Sequence, residues 1–379
     1  MARVTMQDIA EELGLSRFTV ARALGGGAGG SEETRNKVLE TAQRLGYLGR
    51  HRGMANSFRT RNVLFLVEQF RFTGDRYFWP RVLAGVEAAT RRRRLNLMVA
   101  TIEAEQEETG FLPPALRERN VDGVLAVGEF DPVFLHLLRA QSLPVVMVDV
   151  DGGEHAFDAV MTADAWGAAL AVRHLAALGH RKIGFLGDLS YASSFRRRYE
   201  GFVGARRLLG LPEEGSPAIT APTVWHYWDT AEVKAALRRV QELPTAFLCA
   251  NDSVALTLIV ALEEMGFRVP QDVSVVGFDD IDLAGTNRLP LTTIHVFKER
   301  MGERAMELLA WRLENPGYPR ETIAIETELV VRASSGSHHT GEESGRIPGG
   351  HHDVPVKHMA SGLPEKNGSR FEDQRPSGG

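Results

Sequence analysis

Residues 4–24 read VTMQDIAEELGLSRFTVARAL, and this stretch decides how the amino end folds. Thr5, followed three residues later by Asp8, is a capping-box pattern. It opens a helix with Ile9, Ala10 and Leu13 on the inward face. Gly14 supplies a left-handed stop, and Leu15 tucks under the turn. Ser16 then caps a second helix, Arg17 to Leu24, which buries Val20, Ala23 and Leu24. After the glycine-rich residues 25–30, Ser31 caps a third helix with Glu32 and Glu33 in its first turn, where the dipole favours acids. That helix buries Val38, Ala42 and Leu45. Two short helices joined by a glycine-containing turn and braced by a third make a helix-turn-helix headpiece, residues 1–48.

Charge around this stretch points to its partner. Residues 1–61 hold ten Lys/Arg against six Asp/Glu, in a chain whose formal charge is −5 overall. After Glu40 the block has no acid, yet carries Arg44, Arg50, Arg52, Arg59 and Arg61. A basic block on an acidic protein is an electrostatic footprint for a polyanion, or a solvated basic linker, and charge alone does not choose. The second helix turns Arg17, Phe18, Ala21 and Arg22 outward. An arginine grips guanine O6 and N7 with two hydrogen bonds, worth about 1–3 kcal/mol of discrimination. Phe18 suits a thymine methyl or a sugar edge, or packs back on the headpiece. Capped amino ends at Thr5, Ser16 and Ser31 offer backbone N–H groups to phosphates. The candidate DNA contacts are Thr5, Ser16, Arg17, Phe18, Thr19, Arg22, Ser31, Thr34, Tyr47 and Arg50.

The 379 residues are 43% apolar and 25% charged, enough for two or three domains with sizeable cores. No run approaches the length of a membrane span, and the amino end lacks the pattern of a secretory signal. Cys249 is the single cysteine, so no internal disulfide forms, which fits a reducing cytoplasm. From Asn62 onward, short apolar runs alternate with amphipathic helices. VLFLV (63–67), LNLMVA (95–100), DGVLAV (122–127) and PVVMVDV (144–150) read as buried strands. IGFLGD (183–188), TAFLCAND (245–252) and VSVVGFDD (273–280) form a second set, with helices near 80–93, 132–141, 163–178, 195–209 and 252–265. Two such sets predict two α/β lobes built on parallel sheets with helices on both faces. Neither a phosphate-binding P-loop nor a dinucleotide fingerprint is present.

Polar residues cluster where those strands end. Asp149 and Asp151 follow one, Asn251 and Asp252 another, Asp279 and Asp280 a third. In open parallel sheets ligands bind outside the carboxyl ends of strands, so these groups should share a cleft. Carboxylates and an amide suit adjacent hydroxyls, and Phe70, Phe72, Tyr77, Phe78, Trp225 and Trp228 are aromatics available to stack on a sugar. Asp252 and Asp280 are expected to cap the helices that follow, leaving Asp149, Asn251 and Asp279 as the better cleft candidates. Adjacent acids at a strand end point apart, which argues against paired glycosidase carboxylates. Arg91 to Arg94 end a helix and read as solvated. His180, in a Gly-His turn, reads as a surface residue, and Cys249 as a small strand residue.

The headpiece stretch, with SEETRNKVLETAQRLGY after it, resembles the headpiece of the LacI family of bacterial transcriptional regulators. Positions 17, 18 and 22 are the base-reading ones by that resemblance. LAALGHRKIGFLGD, RRYEGF, PTAFLCANDSVAL, MGFRVPQDVSVVGFDD and LPLTTI resemble the family's effector-binding core, similar to periplasmic sugar-binding proteins, over residues 62–332. The resemblance implies effector contacts at Asp149, Arg198, Trp228, Asn251 and Asp279; the first-lobe loop QFRFTGDRYFWP departs from the family pattern, so its aromatics are not assigned singly, and Phe72 and Phe78 are the candidates there. It also implies interleaved lobes: 62–162 with 292–322, and 163–291 with 323–332. Family members bridge the domains with Tyr-x-Pro-Asn and a hinge helix that wedges a leucine into the minor groove. Here Leu48, Gly49 and Arg50 follow Tyr47, Asn56 stands where the leucine would be, and Gly53 weakens a helix over 49–61. Met54 or Phe58 is then the candidate apolar wedge.

In residues 333–379, Gly, Ser, Pro and His make up 25 of 47, which predicts disorder. Their five histidines form no metal site by pattern, and the absence of leucine heptads favours a dimer over a tetramer. The resulting expectation is a cytoplasmic homodimeric repressor on a near-palindromic operator, with a sugar effector, or a purine nucleoside, and no cofactor or metal. A solute-binding transport protein would need an export signal and no basic headpiece, and a sugar-processing enzyme would show turnover.

Overall fold

A computed structural model of the chain describes residues 5–24, 32–45, 58–69, 76–153, 156–220 and 229–338. The headpiece consists of α1 (Met6–Leu13), α2 (Arg17–Leu24) and α3 (Glu32–Arg44). The Thr5–Asp8 capping box is formed: the Thr5 backbone N–H donates to Asp8 Oδ2 at 2.6 Å, and the Asp8 N–H donates to Thr5 Oγ1 at 3.4 Å. Gly14 adopts φ 60°, and the Leu15 N–H returns to the Ala10 carbonyl at 2.9 Å, the closing bond of a Schellman turn. Ile9, Val20, Val38 and Ala42 are fully buried, with Leu13, Leu15, Ala23 and Leu45 packed around them. An ion pair between Arg44 and Glu12 braces the third helix on the first. Ser31 and the Leu24 side chain lie outside the described residues.

The chain continues through β1 (Asn62–Glu68), α4 (Trp79–Arg92), β2 (Asn96–Ile102), α5 (Ala104–Glu108), α6 (Pro114–Arg117), β3 (Gly123–Val127), α7 (Pro132–Ala140), β4 (Val145–Val148) and β5 (Asp158–Thr162). Next come α8 (Asp164–Ala177), β6 (Ile183–Leu186), α9 (Ser193–Leu208), β7 (Ala218–Ile219), α10 (Thr230–Arg238), β8 (Ala246–Cys249), α11 (Asp252–Glu264), β9 (Ser274–Val276), α12 (Asp282–Thr286) and β10 (Thr293–His295). It ends in α13 (Lys298–Glu314), β11 (Thr322–Ile325) and β12 (Glu328–Val330).

Six strands build the first sheet in the order β11-β5-β4-β3-β1-β2, all parallel. β3 and β4 are buried throughout and β1 at all but its two end residues, as sheets covered on both faces require. β2 departs from the buried strand expected of LNLMVA: it is the edge strand, and only Ile102 of its seven residues is buried. The second sheet is β7-β6-β8-β9, also parallel. Bridges from Val276 to Thr292 and from Asp279 to His295 bring β10 alongside it, and β10 pairs antiparallel with β12.

These pairings shift the lobe boundaries. Thr293–His295 sits beside the second sheet although 292–322 was expected in the first lobe, while Thr322–Ile325 pairs with β5 of the first sheet although 323–332 was expected in the second. Backbone ladders set those limits, and the resemblance placed both crossings a few residues early. The α4–α13 layer is closer than ordinary side chains permit. A Cβ on Gly85 would lie 1.9 Å from the Glu299 carbonyl oxygen, and one on Gly302 would lie 2.1 Å from that of Val82. Arg312 of α13 is buried and spends all its donors. Two reach Asp158 at 2.6 and 2.8 Å, and the rest reach the carbonyls of Asn315, Tyr318 and Pro319.

Three further readings need correction. Residues 333–338, expected within a disordered tail, are built into the second lobe: Ser334 is buried, donating to the Val275 carbonyl and accepting from the Thr292 N–H. The remainder of the tail lies outside the described residues. His180 is not a surface residue but 2% exposed, with Nδ1 2.9 Å from Thr245 Oγ1 and Nε2 3.0 Å from Ser274 Oγ. Its ring stacks on His338 with centroids 5.3 Å apart. Phe58 is buried in the hydrophobic core, which removes it as a minor-groove wedge; Met54 lies outside the described residues.

Candidate functional site

On the headpiece, the first turn of α2 is presented outward. Ser16 Oγ accepts from the Thr19 N–H at 3.0 Å and lies 2.8 Å from Thr19 Oγ1, so hydroxyls and amide form one cap. Arg17 and Ala21 are exposed, and Phe18 is 73% exposed, beyond what a packed aromatic shows. Thr5 is exposed at the start of α1, while Thr19 and Thr34 are half-buried. Arg22 belongs to α2, but its side chain, like Ser31, Tyr47 and Arg50, is outside the described residues.

The second site is a cleft between the two sheets, at the carboxyl ends of their strands. Its walls bring together Asp149, Arg198, Asn251, Asp279 and Phe78. Phe72 and Trp228, with Phe70 and Trp225, lie outside the described residues. Asp149 follows β4 at φ 66° and Asp279 follows β9 at φ 108°, both in the region ordinary side chains avoid. Held strain of this kind clusters at ligand sites.

Arg198 anchors the floor. It is 2% exposed, donating from Nε to Asp164 Oδ1 at 2.8 Å and from Nη1 to the Ala250 carbonyl at 2.7 Å. Its Nη2 stands 3.0 Å from Asp279 Oδ1 in an ion pair that lies off the hydrogen-bond direction. Burial alone would lower the Arg198 pKa, but Asp279, Asp164 and Asp149 outweigh it and raise it. Asp149, in contrast, is pushed up to about 7, first by burial and then by the charge of Asp164, against the opposing pull of Arg198 and Arg197. Near neutrality this carboxyl is poised between two protonation states.

The expected caps change places. Asn251, and not Asp252, caps α11, its Oδ1 accepting from the Val254 N–H at 2.9 Å. Asp252 is fully buried and instead accepts from the Ile281 N–H at 2.8 Å and from Thr293 Oγ1 at 2.5 Å, and burial raises its pKa well above the usual range. Asp280 does not cap α12 either. It binds Arg332 at 2.6 Å and His295 at 2.8 Å, and these bonds outweigh burial and lower its pKa.

Four groups escaped sequence reasoning. Asp164, the first residue of α8, collects both Arg197 and Arg198. Trp79 meets Phe78 edge-on at 4.8 Å, and Tyr191 lies 5.2 Å from Phe195; both line the cleft. Glu129, just beyond β3, accepts from the Ser193 N–H and pairs with Arg196 at 3.3 Å, so it ties the first lobe to α9 of the second. The signal available was the Arg-Arg-Arg run at 196–198, which demands carboxylate partners. Among the described residues no cluster of His, Cys, Asp and Glu could hold a metal, and no helix is long and apolar enough to cross a membrane.

A helix-turn-helix headpiece followed by two interleaved α/β lobes with a polar cleft between them defines a ligand-responsive DNA-binding regulator. Comparison with known proteins gives the family. The model of bacterial regulatory proteins of the lacI family matches residues 5–49, and that of a periplasmic binding protein-like domain matches residues 172–335. The HTH-type transcriptional repressor PurR of Mannheimia succiniciproducens is 30% identical over 338 residues, 87% of this chain and 98% of that protein. The ribose operon repressor of Haemophilus influenzae is 30% identical over 336 residues, with the same coverage. Among solved structures, a LacI family transcriptional regulator from Enterococcus faecium with bound ribose superposes with a TM-score of 0.63 at 25% identity, covering 73% of this chain and all of that one. The transcriptional regulator CelR in complex with cellobiose gives 0.62 at 26%, covering 88% of this chain and all of that one. The chain belongs to the LacI family: it is a DNA-binding transcriptional regulator that answers to a small-molecule effector.

Proposed function

We propose that this regulator is a cytoplasmic homodimeric repressor whose operator affinity is set by a sugar bound between the lobes. The observation that carries the sugar reading is the cleft itself. A buried arginine, two carboxylates and a helix-capping amide converge beside Phe78 and Trp79, giving vicinal hydroxyls both acceptors and donors and giving the sugar's apolar face a wall. The bound ribose and cellobiose of the two structural relatives support it. The site binds without chemistry.

One headpiece reaches one half-site, so the dimer meets a near-palindromic operator, with Arg17, Phe18 and Arg22 at base edges and the cap residues Thr5, Ser16 and Ser31 at phosphates, joined by Thr19, Thr34, Tyr47 and Arg50. The effector acts by unequal affinity for the DNA-competent and incompetent arrangements of the lobes. A purine effector is the second reading, favoured by the relatives named PurR and by the same arginine, acids and aromatics. Thermal-shift titration of the full chain with pentoses, hexoses, disaccharides, purine bases and nucleosides separates the two, since a tight ligand raises the melting midpoint by mass action. A hit confined to purines overturns the sugar reading. Gel shift with the hit then gives the sign of the response.

A further inference from the structure

Asp122 stands immediately before β3, at the opposite end of that strand from the cleft. It is 6% exposed, and among the described residues its carboxylate pairs with no cation. It accepts four hydrogen bonds from three consecutive backbone N–H groups at the end of the linker. Arg59 donates to Oδ1 at 2.9 Å, Thr60 to Oδ1 at 2.8 Å and to Oδ2 at 3.1 Å, and Arg61 to Oδ2 at 2.7 Å. The backbone of 59–61 thus forms an anion-binding nest closed on a side chain of the first lobe. Phe58, one residue upstream, is buried in the hydrophobic core. Asn62, one residue downstream, starts β1 and donates to the Asn120 carbonyl at 2.9 Å.

The carboxyl end of β3 is as firmly engaged. Gly128 and Glu129 line the cleft, and Glu129 binds Ser193 and Arg196 of the second lobe. Five buried residues separate the two engagements. At about 3.3 Å per residue a parallel strand of that length is a rod of roughly 17 Å, hydrogen-bonded on both sides and unable to absorb displacement along its axis.

We propose that Asp122 is the positioning residue through which the first lobe holds and aims the DNA-binding linker. The clasp fixes residues 59–61, so movement of β3 when the cleft changes state is delivered at the point where the linker leaves the lobe. The proposal rests on the chain being an effector-controlled regulator, yet its first readout needs neither DNA nor effector. In Asp122→Asn, one acceptor oxygen becomes an NH2 facing amide donors. Amide hydrogen exchange of the full chain should show residues 59–61 losing protection, while the amides of β1 and β3 keep theirs.

Against the duplex that the wild-type protein selects from a randomised pool, the same variant should bind about tenfold more weakly or worse, because hydrogen bonds to a charged group are lost. Its affinity for the effector found by thermal shift should stay at the wild-type value. Thr60→Pro, which removes a donor and leaves the carboxylate in place, should reproduce the operator defect. Wild-type protection at 59–61, or wild-type operator affinity in Asp122→Asn, overturns the proposal. So does loss of protection throughout β1 and β3 in both variants, with effector and operator affinity falling together, since the role is then structural only. A wild-type chain that selects no duplex refutes the regulator reading and leaves the exchange result to judge the clasp alone.

Discussion

The guanidinium carbon of Arg198 sits 3.8 Å from the centroid of the Phe278 ring, sandwiched between that face and the carboxylates of the cleft floor. Phe278 immediately precedes Asp279, so one residue supports the cation and the next receives it. Arg198→Lys keeps the charge but loses the planar fork that reaches Asp164, Ala250 and Asp279 together. The internal bonds to Asp164 and Ala250 that aim the cation are forfeited, so effector affinity should fall about tenfold or more while operator binding without effector persists. Calorimetry and gel shift on one preparation check this. Arg198→Ala is the poorer probe, because it strands buried carboxylates at a cost of about 3–5 kcal/mol and reports folding.

Asp149, with its pKa near 7, makes recognition depend on pH in a way that distinguishes ligands. A sugar hydroxyl donates to the ionised carboxylate, so binding should release a proton, and affinity should rise with pH across about 6 to 8. A ligand that accepts a hydrogen bond from the protonated carboxyl gives proton uptake and the opposite slope. Titration calorimetry in two buffers of different ionisation heat reads the sign directly. Asp149→Asn should remove the pH dependence.

His180 gives a second pH effect, on stability. Burial, chiefly, lowers its pKa to about 4, with the neighbouring His338 and His174 acting in the same direction against a hydrogen bond to the Gly336 carbonyl. The unfolded chain therefore takes up this proton more readily than the folded one. The contribution is fully present above about pH 6.5 and is lost as pH falls toward 4. The melting midpoint should drop through that window. His180→Gln should flatten the drop, though it lowers the midpoint at neutral pH through lost contacts with Thr245 and Ser274.

Phe18 is exposed enough for its loss to cost the fold little. Phe18→Ala should leave stability within about 0.5 kcal/mol of wild type, as surface substitutions do. Affinity for the selected duplex should fall with the salt slope unchanged, because no phosphate contact is removed. Arg17→Ala, if that side chain meets a phosphate, reduces the slope instead. Binding of both variants across a salt series separates base reading from backbone contact.

Local chemistry made the headpiece legible. The Thr5–Asp8 box, Gly14 and Ser16 act within a few residues of themselves, and each forms as its neighbours dictate. The buried strands were legible for the same reason, since a parallel sheet covered twice announces itself as continuous apolar runs. β5, β10, β11 and β12 were not, because short strands at crossings owe their place to partners far along the chain. At the cleft, strand-end acids pointed to Asp149, Asn251 and Asp279, yet the division of labour among Asn251, Asp252 and Asp280 was misread. A cap and a buried tie look alike in sequence, and only Thr293, His295 and Arg332, which arrive much later in the chain, decide between them. Asp164 was invisible because its worth lies in two arginines thirty-odd positions away.

The interleaving has a consequence for how the polypeptide is born. The first sheet receives its border strand from residues 322–325, and the second sheet is flanked by an antiparallel pair of strands, 293–295 and 328–330, from either side of α13 and β11. Neither half can be completed until nearly the whole core has left the ribosome, and both then close within the same few dozen residues. During synthesis the headpiece is already local and self-contained, whereas the sensing part waits with its seams open. Nascent chains halted near residue 290 should be cut by protease throughout the lobes, and chains released past residue 338 should resist.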